Sequence, residues 1–377
     1  MGFDHSHYVP ILKGKQGELN ALQSTDPKLL TKVTPLVEIP PIPPAWPEGE
    51  NQKPVPGKTI DEHIKSVAKA FTKALKGMPA LFVDGFYIEL EDELENGSSP
   101  VDAIFNALRS ASVPFIPTIG LDRVEDYADS VKVAIETDKR GCCLRLVESD
   151  LESLSELGGQ IDGLLKILGI PHDQVDLLVD FGPKVPQKSA LPFQIDALPA
   201  LEAWRTLTVA SSSFPASMMG LKTNSIEERE REEWLAWLFV RSKKKAVKRV
   251  PTFGDYAINH PILTEINPKL MLMSPNIRYT DSVNFVIAKG QAQPRKKKKQ
   301  TPEEAAARAK LAPTVQYPIL AAKIKAHPAW KGPRFSAGDH FIDRCARKEC
   351  VGSSTDWRAA GTCHHIALVV QQIASLP

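Results

Sequence analysis

The chain has no run of 18 or more apolar residues, so no membrane-spanning helix is expected. Its first residues, Met1-Gly2-Phe3-Asp4-His5, lack the basic and apolar segments of a secretory leader, and a cytoplasmic protein with no membrane partner is expected. Five cysteines in 377 residues, two of them adjacent at Cys142-Cys143, do not make a secreted disulfide framework, so free thiols are expected. Cys345, Cys350 and Cys363 with His340, His364 and His365 offer enough zinc donors, but their spacing matches no familiar zinc module. His-x-His and His-Glu-x-x-His patterns are missing, and so are the Gly-x-x-x-x-Gly-Lys-Ser/Thr phosphate loop and the dinucleotide fingerprint. These absences argue against a zinc hydrolase, a nucleoside triphosphatase and a nicotinamide enzyme, and no metal or cofactor is expected.

Charge of one sign is also lacking. With 47 basic and 45 acidic residues, no global field dictates a nucleic-acid partner. Local runs stand out: Lys243-Lys244-Lys245 with Lys248 and Arg249, and Arg295-Lys296-Lys297-Lys298-Lys299. A solvated tether is the common meaning of such runs, and phosphate contact the functional one.

What is present is a recurring unit, an apolar strand ending in a polar residue. Val9-Pro10-Ile11-Leu12 runs into Lys13, Val33 to Val37 into Glu38, Ala80 to Val83 into Asp84, and Val113 to Pro117 into Thr118. Cys142-Cys143-Leu144 precedes Arg145, Asp176 to Val179 precedes Asp180, Leu207 to Ala210 precedes Ser211, and Val250 to Gly254 precedes Asp255. Continuous apolar runs fit strands buried on both faces, and helical periodicity fills most of the intervals. Eight units in about 255 residues match a (β/α)8 TIM-like barrel; an open doubly wound sheet is the alternative. In a barrel, Lys13, Glu38, Asp84, Arg145, Asp180, Ser211 and Asp255 are candidates for one ring at the mouth.

Helices are expected at about 59–76, 99–112, 124–137, 151–168 and 225–241. In the last of these, carboxylates suit the N-terminus and Trp234 and Trp237 pack on the barrel. The proline-rich stretch from Pro40 to Pro56 reads as a lid or wall at the mouth. The expected domains are a barrel over 1–291, including a strand unit after Asp255 (Asn276 to Thr280 and Asn284 to Gly290), a basic, alanine-rich tether over 292–316, and a C-terminal helical extension over 317–377.

Several strings taken together resemble the protein-beta family of phages and bacteria. They are Tyr8-Val9-Pro10-Ile11-Leu12-Lys13-Gly14-Lys15 with Glu18, Phe253-Gly254-Asp255-Tyr256, Ile277-Arg278-Tyr279-Thr280, Ala288-Lys289-Gly290, Ser336-Ala337-Gly338-Asp339, and Trp357 to Ile366. The resemblance implies a setting of phage and host conflict and transfers no catalytic roles.

Read as chemistry, Glu38, Asp84 or Glu89, Asp180 and Asp255 are grouped carboxylates, the usual apparatus for breaking a glycosidic bond. Asp180 before Phe181-Gly182-Pro183 and Asp84 before Gly85 also read as turn formers. Asp255 leads the candidates because Gly254 lets the backbone bend and Tyr256 adds an aromatic face. Lys13, Lys15, Arg145 and Arg278 suit a phosphate, and Arg358 beside Trp357 combines guanidinium binding with stacking. His364 and His365 are neighbours, so at most one is expected to face a site, the other capping a helix or sitting satisfied in the core. The expected function is a nucleic-acid hydrolase, DNA favoured, cleaving an N-glycosidic bond with Asp255, Asp180 and Glu38 as carboxylates. The alternatives are a phosphodiesterase using His364 or His365, with magnesium on Asp180 and Asp255, and a non-catalytic binding module. Nothing in the sequence sets an oligomeric state.

Overall fold

In the computed structural model, residues 2–47, 53–88, 93–263, 267, 272, 274–297 and 299–377 are described. Glu89, Lys298 and the centre of the proline-rich stretch lie outside them.

Eight parallel strands close into a barrel: β1 (Tyr8–Leu12), β2 (Leu36–Glu38), β3 (Leu81–Asp84), β4 (Phe115–Ile119), β5 (Cys142–Val147), β6 (Val175–Asp180), β7 (Thr206–Ala210) and β8 (Thr252–Asp255). Each pairs with its sequence neighbour, and β8 closes on β1 through Tyr8–Phe253, Val9–Gly254 and Pro10–Asp255. The fold is thus the expected α/β barrel with C-terminal helices.

Strand alternation builds two cores. Val9, Ile11, Leu36, Phe82, Ile116, Cys143, Leu178, Ala210 and Tyr256 fill the interior. Tyr8, Leu12, Val37, Val83, Phe115, Leu144 and Phe253 pack outward against the helices. Trp234 and Trp237 lie in that outer layer with their rings against Phe253, as expected.

The helices Ile60–Ala74, Pro100–Ser110, Glu125–Asp138 and Leu154–Leu168 occupy the expected intervals. The stretch from Ser225 departs: Ser225–Glu230 is a strand and only Glu232–Ser242 is helical. The charged, part-exposed residues of that segment suit an edge strand, and Asn284–Lys289 pairs with it along its length. Asn276–Thr280 adds the third strand of this antiparallel sheet. Its apolar face, with Ile277, Tyr279, Val286 and Ala288, packs on helices Pro313–Ala326, Ala337–Ala346 and Ser354–Ala374.

Pro44–Ala45 and Val55–Pro56 form a short antiparallel ladder within the proline-rich stretch. Cys345 and Cys350 are joined as a disulfide rather than held as free thiols, while Cys142, Cys143 and Cys363 are unbonded and buried. No group of three or more His, Cys, Asp or Glu among the described residues is arranged to hold a metal ion. No helix among them is long and apolar enough to cross a membrane.

Candidate functional site

The period of two that sorts the cores also decides which strand-end residues reach the mouth. Lys13 follows Ile11 on the inner face, Glu38 follows Leu36, Asp84 follows Phe82, Arg145 follows Cys143, Asp180 follows Leu178, and Tyr256 is itself an inner residue. These six converge.

Arg145 is the hub. Its Nη1 donates to Glu38 Oε1 at 2.9 Å and to Asp84 Oδ2 at 2.7 Å, and its Nη2 to Asp180 Oδ2 at 2.6 Å. Nε adds a bond to Asp180 Oδ2 at 3.0 Å. Glu38 and Asp84 are cross-strand partners, so two carboxylates would repel there without the shared guanidinium. Tyr256 donates its hydroxyl to Asp180 Oδ2 at 2.5 Å. Burial, then the charge of Asp180, pushes the Tyr256 phenol well above its ordinary value. Burial alone would weaken protonation of Arg145, but Tyr256, Asp180, Glu38 and Asp84 outweigh it and hold the guanidinium above its usual range. Lys13 Nζ lies 2.8 Å from Glu38 Oε2 and donates to Tyr87 Oη at 3.0 Å. Gly14, at φ +63°, turns the chain just after Lys13 where a Cβ would collide with the Glu38 carbonyl. Asp180 is also a turn former, its Oδ1 accepting from the Gly182 amide at 2.9 Å.

Phe86 and Tyr87, on the loop after β3, form the wall between this cluster and an open cleft. Phe86 faces the guanidinium of Arg145 at 4.8 Å and that of Arg123 at 5.2 Å. The cleft, about 1100 Å³, is lined by Lys15, Lys58, Arg123, Phe86, Tyr87 and the prolines Pro40, Pro41, Pro43 and Pro44, which serve as a wall. Arg123 leans on Asp84, 3.4 Å from its Oδ1.

Asp255 does not join the ring. It shares the outer face of β8 with Phe253, one residue out of phase with Tyr256, and is fully excluded from solvent. Its Oδ1 accepts from Tyr8 Oη at 2.5 Å and from the Ala257 amide at 2.8 Å; its Oδ2 accepts from His365 Nε2 at 2.8 Å. Thr280 Oγ1 lies 2.9 Å from His365 Nδ1. His364 points elsewhere: Nδ1 meets Asp339 Oδ2 at 2.9 Å and Nε2 the Thr280 carbonyl at 2.8 Å. Tyr279 and Ser336 also donate to Asp339. Both histidines belong to the last helix, Ser354–Ala374, are fully buried, and do not reach the mouth. Asp180 and Asp255 lie on opposite faces of the barrel wall, so they cannot share one magnesium ion. Ser211 follows the inner residue Ala210 and so falls on the outer phase with Asp255.

Arg278 and Arg358 meet at the rim, both donating to Asn259 Oδ1. Trp357 is buried, stacked on Tyr317 at 4.9 Å, with its Nε1 donating to the Val351 carbonyl. The basic run at Lys243 lies before β8, at the end of the barrel opposite the mouth, where Arg249 donates to the carbonyls of Leu201 and Trp204. In the second run, Lys297 pairs with Glu304.

The profile of the family described as Beta protein matches residues 8–371. The chain belongs to the beta protein family. The match runs from β1 through the accessory sheet to the last helix, so barrel, sheet and C-terminal helices are all family features. No curated protein matches. A solved structure of PhdJ bound to a substrate intermediate is similar over 67% of each chain, at 12% identity and a TM-score of 0.30.

Within this family frame, sequence reading missed Phe86, Tyr87 and Arg123. The signal for the two rings was present in Asp84-Gly85-Phe86-Tyr87, where a ring-bearing pair follows directly on an inward strand end.

Proposed function

We propose that this beta-family protein acts on nucleic acid, DNA above all, as a hydrolase in phage and host conflict, holding an unstacked nucleotide at the barrel mouth. The observation that carries this reading is the mouth cleft, where the rings of Phe86 and Tyr87 stand among Lys15, Lys58 and Arg123, directly against the buried Lys13, Glu38, Arg145 and Asp180 cluster. Rings for base stacking combined with cations for the backbone are the usual means of holding single-stranded nucleic acid.

The reaction proposed is N-glycosidic hydrolysis. The bond from the anomeric carbon to the base breaks, water oxygen bonds to that carbon, and the base leaves with a proton. Glu38 and Asp180 offset the positive charge that grows on the sugar. Tyr256, hydrogen-bonded to Asp180, and Lys13 are the proton carriers in reach of the cluster.

One observation favours a second reading, a non-catalytic binding module: Arg145 already engages Glu38, Asp84 and Asp180 together. Incubation with modified and unmodified phage DNA, with and without EDTA, then alkali and a denaturing gel, separates the two. Alkali-dependent breaks that survive EDTA and vanish in Asp180→Asn support the hydrolase. Oligonucleotide binding that needs Tyr87 but yields no breaks supports the binding module, and breaks without alkali overturn the glycosidic reaction.

A further inference from the structure

Arg278 lies on the accessory strand Asn276–Thr280 and Arg358 in the second turn of the last helix, 80 residues apart in sequence, yet their guanidinium groups converge on one amide oxygen of Asn259. Gly17 makes this approach possible, because a Cβ there would run into the Arg358 side chain. Among the described residues, no carboxylate lies within ion-pair distance of either arginine, in a protein where the other large charge cluster is fully paired. Glu18 stands behind the pair, but its carboxylate is engaged by Asn259 Nδ2 at 2.6 Å and by the Lys15 amide at 3.2 Å.

Both arginines keep donors in reserve. Arg278 gives Nη1 to the Ile258 carbonyl at 2.7 Å and Nε to Asn276 Oδ1 at 3.3 Å, which leaves Nη2 without a protein acceptor among the described residues. Arg358 gives Nη1 to Asn259, which leaves Nε and Nη2. These edges open into a cavity of about 320 Å³, separate from the mouth cleft and lined also by Asn276, Ser353, Ser354 and the rings of Tyr317 and Trp357. Ser353 caps the last helix, so the positive end of a 21-residue helix faces the same space. Asp356, the carboxylate of that cap, lines a different cavity, beside Ala337 and Gly338. Burial, then the neighbouring Arg358, holds Arg278 well below its ordinary value; burial likewise lowers Arg358. A bound anion relieves both.

We propose that the Arg278 and Arg358 cavity is a binding site for a terminal phosphomonoester of a nucleotide chain, with the two guanidinium edges on its oxygens and the Tyr317 and Trp357 wall beside the adjoining nucleoside. Planar forks suit the several oxygens of a phosphate better than ammonium groups do. The nucleotide identity rests on the nucleic-acid reading of the mouth; the phosphate does not.

The test compares binding of one short DNA oligonucleotide bearing a 5′-phosphate, a 3′-phosphate or no terminal phosphate, at matched ionic strength, with a parallel titration of inorganic phosphate. A terminal phosphate is expected to tighten binding at least tenfold. Arg358→Gln and Arg278→Gln should erase that ratio, whereas Lys15→Gln and Arg123→Gln should weaken all three oligonucleotides alike and preserve it. Arg358→Lys keeps a cation should the glutamine variant fail to fold, and should still lose most of the ratio with its fork. Equal binding of the three oligonucleotides without saturable phosphate binding overturns the site while leaving the mouth reading standing. Saturable phosphate binding lost in Arg358→Gln, with no oligonucleotide bound, upholds the site and overturns the mouth reading.

Discussion

Asp255 and His365 meet through a 2.8 Å hydrogen bond on the outer wall of the barrel, with both side chains fully excluded from solvent. Across this bond β8 is fastened to the last helix, and Tyr8 and Thr280 tie in β1 and the accessory sheet. Burial lowers the His365 imidazole below its ordinary 6.5. Burial alone would raise Asp255, but His365, Arg231 and the Tyr8 hydroxyl outweigh it and leave the carboxyl below its usual range.

A depressed value in the folded state gives stability that is present above the unfolded value and is lost as pH falls. The dyad should therefore make the fold acid-sensitive, with loss beginning below about pH 6.5 for the histidine and continuing through the carboxylate range. Asp255→Asn should cost about 2 kcal/mol or more at pH 7, since it leaves buried donors short of a charged acceptor. Urea unfolding of the variant at pH 7 and pH 5 checks this; unchanged midpoints would refute a structural role for the dyad.

Arg145→Leu should be more damaging. It takes the shared guanidinium from three buried carboxylates and leaves Asp180 without a cation, and removing one partner of a buried ion pair costs about 3–5 kcal/mol. The thermal midpoint and near-ultraviolet circular dichroism give the measure. Arg145→Leu combined with Asp180→Asn should recover part of the loss, because Asp180 then has no charge left to strand while Glu38 keeps Lys13 and Asp84 keeps Arg123.

Glu233 supplies the opposite pH dependence. Burial raises its carboxyl to about 7 against the attraction of Arg231, while Ser213 donates to it from Oγ at 2.5 Å. A raised value gives stability that is complete below about pH 4.5 and is lost as pH rises to about 7. Glu233→Gln should flatten that slope and stabilise the protein at pH 8 by roughly 3 kcal/mol at most. Unfolding midpoints at pH 5 and pH 8 should show gain only at the higher pH.

At the mouth, Arg123→Gln and Lys15→Gln should each weaken oligonucleotide binding across sequences and lower the salt dependence by about one counterion. Tyr87→Ala should weaken binding by about 1–3 kcal/mol with the salt slope unchanged, as stacking carries no counterion release. Fluorescence anisotropy over a salt series separates the two behaviours.

The sequence by itself determined parallel strands covered on both faces and made a (β/α)8 barrel the expected fold; closure of β8 on β1, rather than an open doubly wound sheet, was decided by the tertiary structure. Runs such as Leu177-Leu178-Val179 and Cys142-Cys143-Leu144 are apolar on both faces, and only strands covered inside and outside can bury them. The sequence also placed Glu38, Asp84 and Asp180 at strand ends, while Arg145, expected at one, lies two residues inside its strand. Tertiary structure decided which strand-end residues share a face. On β8 the chain reads Phe253-Gly254-Asp255-Tyr256, and a shift of one residue sends a side chain from the mouth to the helix layer. Nothing local fixes that phase; it follows from pairing with β1 and from Trp234 and Trp237 claiming Phe253. The same limit explains Ser225–Glu230, whose charges suit a helix start until Asn284–Lys289 offers it an edge. It also explains the meeting of Arg278 and Arg358, because contacts between residues distant in sequence are set by packing rather than by any local pattern of side chains.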